Sequence, residues 1–176
     1  MAWIQVSRPV PTWKTQALVG RDFRTLSLDD YRGRWVVLLF YPLNFTFVCP
    51  TEIVSLNERW PDFQERNTEV LMCSVDSVYA HLGWVKSDER LRQLRFPLLS
   101  DITKEIARSY GVLLEDAGIA LRATFVIDPR GILRWQCIND LNTGRNIDEI
   151  MRVIDALQTD KPCPCNWKKG DATLPG

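Results

Sequence analysis

The sequence holds five cysteines, at positions 49, 73, 137, 163 and 165, and one histidine, His81. A cysteine attacks only as its thiolate, so the first question is which of them lies where a thiolate is stabilised. Cys49 meets that condition. It sits in the run Phe45-Thr46-Phe47-Val48-Cys49-Pro50-Thr51-Glu52, and proline is favoured at the first position of a helix because its missing N–H would be unpaired there anyway. Cys49 then falls at the N-cap, where the free N–H groups of Thr51 and Glu52 and the positive end of the helix dipole face its sulfur. Thr46, one short loop turn earlier, can offer a hydroxyl to the sulfur or to an oxygen bound beside it.

The other cysteines read differently. Cys73 and Cys137 occur in the apolar runs Val70-Leu71-Met72-Cys73-Ser74-Val75 and Ile132-Leu133-Arg134-Trp135-Gln136-Cys137-Ile138, where a free cysteine behaves as a small core hydrophobe. Cys163 and Cys165 flank Pro164 in a stretch from Thr159 onward that shows no periodicity and also holds Pro162 and Pro175. A thiol there has little reason to be core. The pair falls short of a zinc ligand set, and a single histidine leaves out most His-based metal sites. Neither a metal nor another cofactor is expected. Pro50-Thr51-Glu52 follows Cys49 with no second thiol, which argues against a disulfide reductase of the Cys-x-x-Cys type.

The elements that must position Cys49 follow from hydrophobic periodicity. Trp35-Val36-Val37-Leu38-Leu39-Phe40 is a continuous apolar run, the pattern of a strand buried on both faces. Val70–Val75, Ala123–Ile127 and Ile132–Ile138 resemble it, and the last two are joined by the turn formers Asp128-Pro129-Arg130-Gly131, which predicts a β-hairpin. Ile53, Leu56, Trp60 and Phe63 make a helical stripe from Pro50 onward, which Pro61 should kink or end. Ile102, Ile106 and Tyr110 make a second stripe closed by Gly111. Ile147, Ile150, Met151, Ile154 and Leu157 make a third, with Asn146 and Glu149 placed like a capping box. Residues 78–90 read as helical. Strands alternating with helices predict an α/β layered fold.

At 176 residues, with 45% apolar and 25% charged residues, the chain suits one main domain with a substantial core. We read residues 1–158 as that domain and residues 159–176 as a tail. Lys+Arg and Asp+Glu balance at 22 each, so no net charge points to nucleic acid or an anionic membrane, and neither is an expected partner. The apolar run Trp35 to Pro42 is far short of a membrane span. Met1 to Pro9 shows no basic start followed by an apolar stretch, so a cytoplasmic protein is expected. The sequon Asn44-Phe45-Thr46 then has no glycosylation to receive.

Pro42-Leu43-Asn44-Phe45-Thr46-Phe47-Val48-Cys49 resembles the Pro-x-x-x-Thr-x-x-Cys signature of the peroxiredoxins. Phe40-Tyr41-Pro42 before it and Cys49-Pro50-Thr51-Glu52 after it are similar to the typical 2-Cys (alkyl hydroperoxide reductase C) branch. The likeness runs from about residue 5 to residue 173 and includes Ser74-Val75-Asp76-Ser77, His81-Leu82-Gly83-Trp84, Phe96–Asp101 and Ile138–Leu141. It implies a thioredoxin-like fold: a central mixed sheet flanked by helices, with an N-terminal hairpin extension and an irregular C-terminal tail. It implies that Cys49 is the peroxidatic cysteine, shielded by Pro42, with Thr46 bonding the peroxide and Arg122 as the essential arginine. A guanidinium stays charged in proteins and can stabilise both the thiolate and the oxygen being displaced. Glu52 and Arg145 resemble the family's ionic partners around that arginine, and His81 and Trp84 are placed near the pocket without a catalytic role.

The activity implied is reduction of hydrogen peroxide and organic hydroperoxides through a Cys49 sulfenic acid, which a second thiol must meet before over-oxidation to sulfinic acid competes. Cys163-Pro164-Cys165-Asn166-Trp167-Lys168 resembles the family's Val-Cys-Pro-x-x-Trp element and aligns Cys163 with the resolving cysteine. Cys165 stands where the family usually has alanine. Sharing the resolving role, pairing with Cys163 during turnover, and having no role all stay open. The implied partners are thioredoxin or a dedicated flavoprotein disulfide reductase, and further copies of the chain as a homodimer and a ring of dimers such as a decamer. From the residues alone, an intrachain bridge to the tail is equally open. A non-enzymatic chaperone or redox-relay role is the alternative activity. Asp88-Glu89-Arg90-Leu91-Arg92-Gln93-Leu94-Arg95 replaces the Gly-Gly-Leu-Gly loop of oxidation-sensitive members, and no Tyr-Phe helix follows the tail, so Cys49 is expected to resist over-oxidation.

Overall fold

The computed structural model of the protein describes residues 4–176; Met1, Ala2 and Trp3, part of the stretch read for a leader, lie outside them. Two units fold around their own contacts, one ending at Arg145 and the other spanning Asn146–Gly176.

In the first unit, the apolar run expected to be central is central. Strand β3 (Trp35–Phe40) lies between β4 (Thr68–Ser74), to which it is parallel, and β8 (Arg122–Ile127), to which it is antiparallel. β4 continues in parallel to β5 (Leu98–Ser100), and the hairpin of β1 (Lys14–Val19) and β2 (Asp22–Ser27) closes that side antiparallel. The far edge is β9 (Leu133–Asn139), the partner of β8 in the expected hairpin. The sheet order is therefore β2-β1-β5-β4-β3-β8-β9. β6 (Leu113–Leu114) and β7 (Ile119–Ala120) form a separate small ribbon. Val37, Leu38, Leu39 and Phe40 have no exposed surface, as a strand covered on both faces requires. The chain thus has the thioredoxin-like mixed sheet and the N-terminal hairpin.

Helix α1 (Val48–Glu58) stops at Arg59, and α2 (Trp60–Glu65) restarts with Pro61 in its first turn. Proline cannot donate to the preceding turn, and its ring clashes there, so the stripe is split in two. α1 begins earlier than proline-first capping predicts: Phe47 is the N-cap, and Cys49 lies inside the first turn. The first four N–H groups of a helix, counted from the N-cap, lack intrahelical partners, so Pro50 loses nothing two places further in. α3 (Val78–Ser87) is capped by Ser77, whose hydroxyl accepts from Ala80 N. A short 3-10 turn, Glu89–Leu91, follows it.

Further expectations need correction. The second stripe yields only α4 (Glu105–Ser109), because Lys104 takes a left-handed conformation (φ 64°) and leaves Ile102 exposed; Asp101 instead accepts from Ile106 N and Ala107 N. Cys137 is not core. It is half-buried on the edge strand β9, where pairing on one side only leaves the strand partly open.

In the second unit, α5 (Ile147–Gln158) is capped by Asn146, whose side chain accepts from Glu149 N. The reciprocal half of the capping box is absent, since the Glu149 carboxylate pairs with Arg152. Residues 159–176 carry no further helix or strand.

Candidate active site

Strand register builds the site. β3 ends at Phe40, the loop Tyr41–Phe47 follows, and α1 starts directly after it. Because β8 runs antiparallel to β3, with Leu39 opposite Thr124, the first residue of β8 lands beside the end of β3. That residue is Arg122. It pairs across β9 with Asn139, so the loop that leaves β9 returns over the same end of the sheet and brings Leu141 and Arg145 with it.

Cys49 has no exposed surface. Its Sγ is 2.9 Å from Thr46 Oγ1 and 3.2 Å from Arg122 Nη1. Thr46 Oγ1 also lies 3.0 Å from Leu43 O; a hydroxyl has one proton, so it can donate to only one of the two at a time. Phe45 makes this approach possible by adopting φ 59°, a left-handed conformation rare for an aromatic residue. Pro42, within the same loop, is buried.

Arg122 is anchored by a 2.6 Å bond from Nε to Leu141 O and a 3.0 Å ion pair from Nη1 to Glu52 Oε2. Arg145 reaches Glu52 from the other side, with backbone N 2.9 Å and Nε 3.0 Å from Oε1 and Nη2 2.8 Å from Oε2. Its Nη1 donates at 2.8 Å to both Phe40 O and Ala123 O. Each of these three side chains is only 3% exposed. One carboxylate against two guanidiniums leaves a positive charge in excess within an enclosed site. A thiolate at Cys49 cancels it, whereas a neutral thiol does not.

The structure thus brings Cys49, Thr46, Glu52, Arg122 and Arg145 together at one end of the sheet, with Pro42 buried in the loop that leads to Cys49. Phe45, Thr46, Pro50 and Trp84 line a groove together with Asp88, Glu89 and Arg90. Cys163, half-buried, and Cys165, exposed, belong to the second unit. Among the described residues, no cluster of three or more His, Cys, Asp or Glu side chains is disposed to hold a metal ion, and no helix is long and apolar enough to cross a membrane.

Sequence reasoning missed the parts of the site that have no letter of their own, namely the carbonyls of Leu141, Phe40 and Ala123. It also missed how His81 works. His81 is fully buried, with Nε2 3.1 Å from Leu99 O and Nδ1 3.0 Å from Asn44 Nδ2. A carbonyl can only accept, so Nε2 carries the proton and Nδ1 accepts from the Asn44 amide. Asn44 Oδ1 in turn accepts from Tyr41 Oη at 2.8 Å, and Asn44 N donates to Asp76 Oδ2 at 3.0 Å. The loop that carries Thr46 is therefore tied to α3 and to the end of β4. Burial holds the His81 ring below the ordinary imidazole range, against the opposing influence of Leu99 O and Asp76.

Comparison with known proteins gives the family of the chain. The AhpC/TSA family profile matches residues 6–136. Human Peroxiredoxin-4 is 48% identical over 177 residues, covering 97% of this chain, which spans 65% of that protein's length. The Drosophila melanogaster "Thioredoxin-dependent peroxide reductase, mitochondrial" is 51% identical over 174 residues, covering 95% of this chain and 74% of its own. Among solved structures, the reduced 2-Cys peroxiredoxin of Plasmodium vivax superposes with a TM-score of 0.92 at 42% identity, over 96% of this chain and 91% of its own. Enterococcus faecalis AhpC gives 0.88 at 33% identity, over 98% and 99%.

These relatives overturn the cytoplasmic expectation. The Drosophila protein is mitochondrial by name, as is the 2-Cys peroxiredoxin of Plasmodium falciparum, with a TM-score of 0.84. Targeting is carried by segments separate from the folded domain, so a domain of this kind does not report its compartment. With a family profile over most of its length and relatives near half-identical, the chain belongs to the AhpC/TSA family, the peroxiredoxins.

Proposed function

We propose that the chain is a thiol-dependent peroxidase that reduces hydrogen peroxide and organic hydroperoxides at Cys49. The observation that carries this reading is the contact of one enclosed sulfur with both Thr46 Oγ1 and Arg122 Nη1. The thiolate attacks the terminal hydroxyl oxygen of the peroxide. The O–O bond breaks, and the departing oxygen leaves with the electron pair and takes up a proton as water or alcohol. Cys49 keeps the transferred hydroxyl as a sulfenic acid. Arg122 faces both the sulfur that loses charge and the oxygen that gains it, so its stabilisation grows as the reaction proceeds. Thr46 can turn its proton from Leu43 O toward the peroxide, and Pro42, itself buried in the loop, shields the site from water.

The sulfenic acid then condenses with Cys163 in the tail that begins near residue 159, releasing water and forming a disulfide. Reduction by a thioredoxin-like dithiol or a flavoprotein disulfide reductase restores both thiols. This agrees with the names of two relatives, a thioredoxin-dependent peroxide reductase and a thioredoxin peroxidase. The working unit is a homodimer, in which Cys163 meets Cys49 of the partner, assembled into a ring of dimers. The test is peroxide-dependent NADPH oxidation with thioredoxin and its reductase. Robust turnover that Cys49→Ser abolishes is expected; no turnover with any dithiol reductant would leave only a non-enzymatic role.

A further inference from the structure

The two tail cysteines occupy unlike places. Cys163 packs at the end of α5, where its Sγ lies 3.8 Å from Ala156 O, 3.6 Å from Lys161 O and 3.5 Å from Thr159 Oγ1. Cys165 is exposed. Trp167 N donates to Pro164 O at 3.1 Å, which closes a turn over residues 164–167, and Asn166 takes φ 60° within it. Cys165 therefore stands at the outer corner of a tight turn. Arg152 Nη1 pins that turn by donating to Trp167 O at 3.1 Å, and its guanidinium lies within electrostatic reach of both sulfurs.

We propose that Cys165 is an exchange thiol that takes Cys163 over from Cys49, moving the disulfide out of the active site and into the tail. This rests on the reading of Cys163 as the resolving cysteine. The Cys165 thiol gives its proton to solvent, and its sulfur bonds to Cys163 Sγ. The Cys49–Cys163 bond breaks, and its electron pair leaves on Cys49 as a thiolate. One disulfide replaces another, so no outside oxidant or reductant is needed.

Two features favour this direction, and a third favours the reduction that follows it. Cys49 leaves well, because Arg122 and Thr46 await its thiolate and a stabilised thiolate is the better leaving group. Forming the first disulfide pulls Cys49 from those contacts, and exchange restores them. Cys165 is also permanently near its target: two residues apart, the Cα atoms are separated by at most about 7 Å, close to the roughly 4.4–6.8 Å that a disulfide spans. Finally, a short, exposed disulfide is of the labile kind that exchanges readily with a dithiol reductant. Cys49 thus becomes free to meet a second peroxide before any reductant arrives.

The test is a time course of the reduced protein with excess peroxide and no reductant, quenched, alkylated and mapped by non-reducing mass spectrometry. Wild type should convert a Cys49–Cys163 bridge into Cys163–Cys165, with Cys49 then trapped as a sulfenic acid by a dimedone probe. Early peroxide uptake should be about twice that of Cys165→Ser, which stops at Cys49–Cys163. The exchange is overturned if wild type retains Cys49–Cys163 with Cys165 fully alkylated. It is equally overturned if Cys49→Ser forms the tail disulfide as fast as wild type. Failure of Cys165→Ser to form Cys49–Cys163 would instead remove the resolving role of Cys163 itself.

Discussion

Arg122 Nη1 lies 3.2 Å from Cys49 Sγ although the two residues are 73 positions apart. The same guanidinium holds Glu52 and the carbonyl of Leu141, so its charge and its planar shape are both in use. Arg122→Lys keeps the charge but cannot reach three acceptors at once. We expect a loss of about 10²–10³ in kcat/KM, the usual cost of removing one well-aimed donor, measured by stopped-flow peroxide reduction with the fold checked by circular dichroism.

Thr46 offers a sharper contrast. Thr46→Val keeps the shape and removes the hydroxyl that reaches Cys49 Sγ and Leu43 O. The rate with peroxide should fall about 10²-fold, whereas Thr46→Ser, which keeps the oxygen, should stay within several-fold of wild type. Equal losses in the two variants would show that the methyl packing, not the hydroxyl, is what counts.

Glu52 holds two buried arginines together. Glu52→Ala leaves both guanidiniums without their carboxylate, and breaking one side of a buried ion pair costs about 3–5 kcal/mol. Urea unfolding should show a loss of that size. Peroxidase activity should fall as well, because Arg122 loses an anchor.

His81 is the only histidine, so it is the one side chain whose ordinary protonation range lies near neutral pH. Burial holds the folded ring below its usual value of 6.5. The unfolded chain therefore takes up a proton near pH 6.5 that the folded chain refuses. Its contribution to stability is fully present above that pH and is lost as the pH falls from 6.5 toward the folded value. Unfolding free energy measured between pH 7.5 and about 5 should decline on acidification, and the slope should flatten in His81→Gln. Because His81 accepts from Asn44, the same acidification should loosen the loop that carries Thr46.

The local part of this protein is legible in its residues alone. An unbroken apolar run made β3 central, Asp128–Gly131 marked the hairpin, Pro61 split the helix, and a thiol next to a helix start marked Cys49. Each depends on residues a few positions apart, where periodicity and turn chemistry act directly. The likeness of Pro42–Cys49 to a known signature extended this to Arg122, Glu52 and Arg145, which no spacing rule would have joined to it. The rest came from contacts between distant segments. Antiparallel pairing of β3 and β8 delivered Arg122 to the sulfur, and the loop after β9 delivered Leu141 O and Arg145. Acceptors such as Phe40 O and Ala123 O are backbone atoms, identical in every residue and invisible in a sequence. Lys104 turning left-handed cut α4 short, and the edge position of β9 left Cys137 half-open. Such outcomes depend on which segments become neighbours, and that is set by closing the whole sheet rather than by any single stretch of chain.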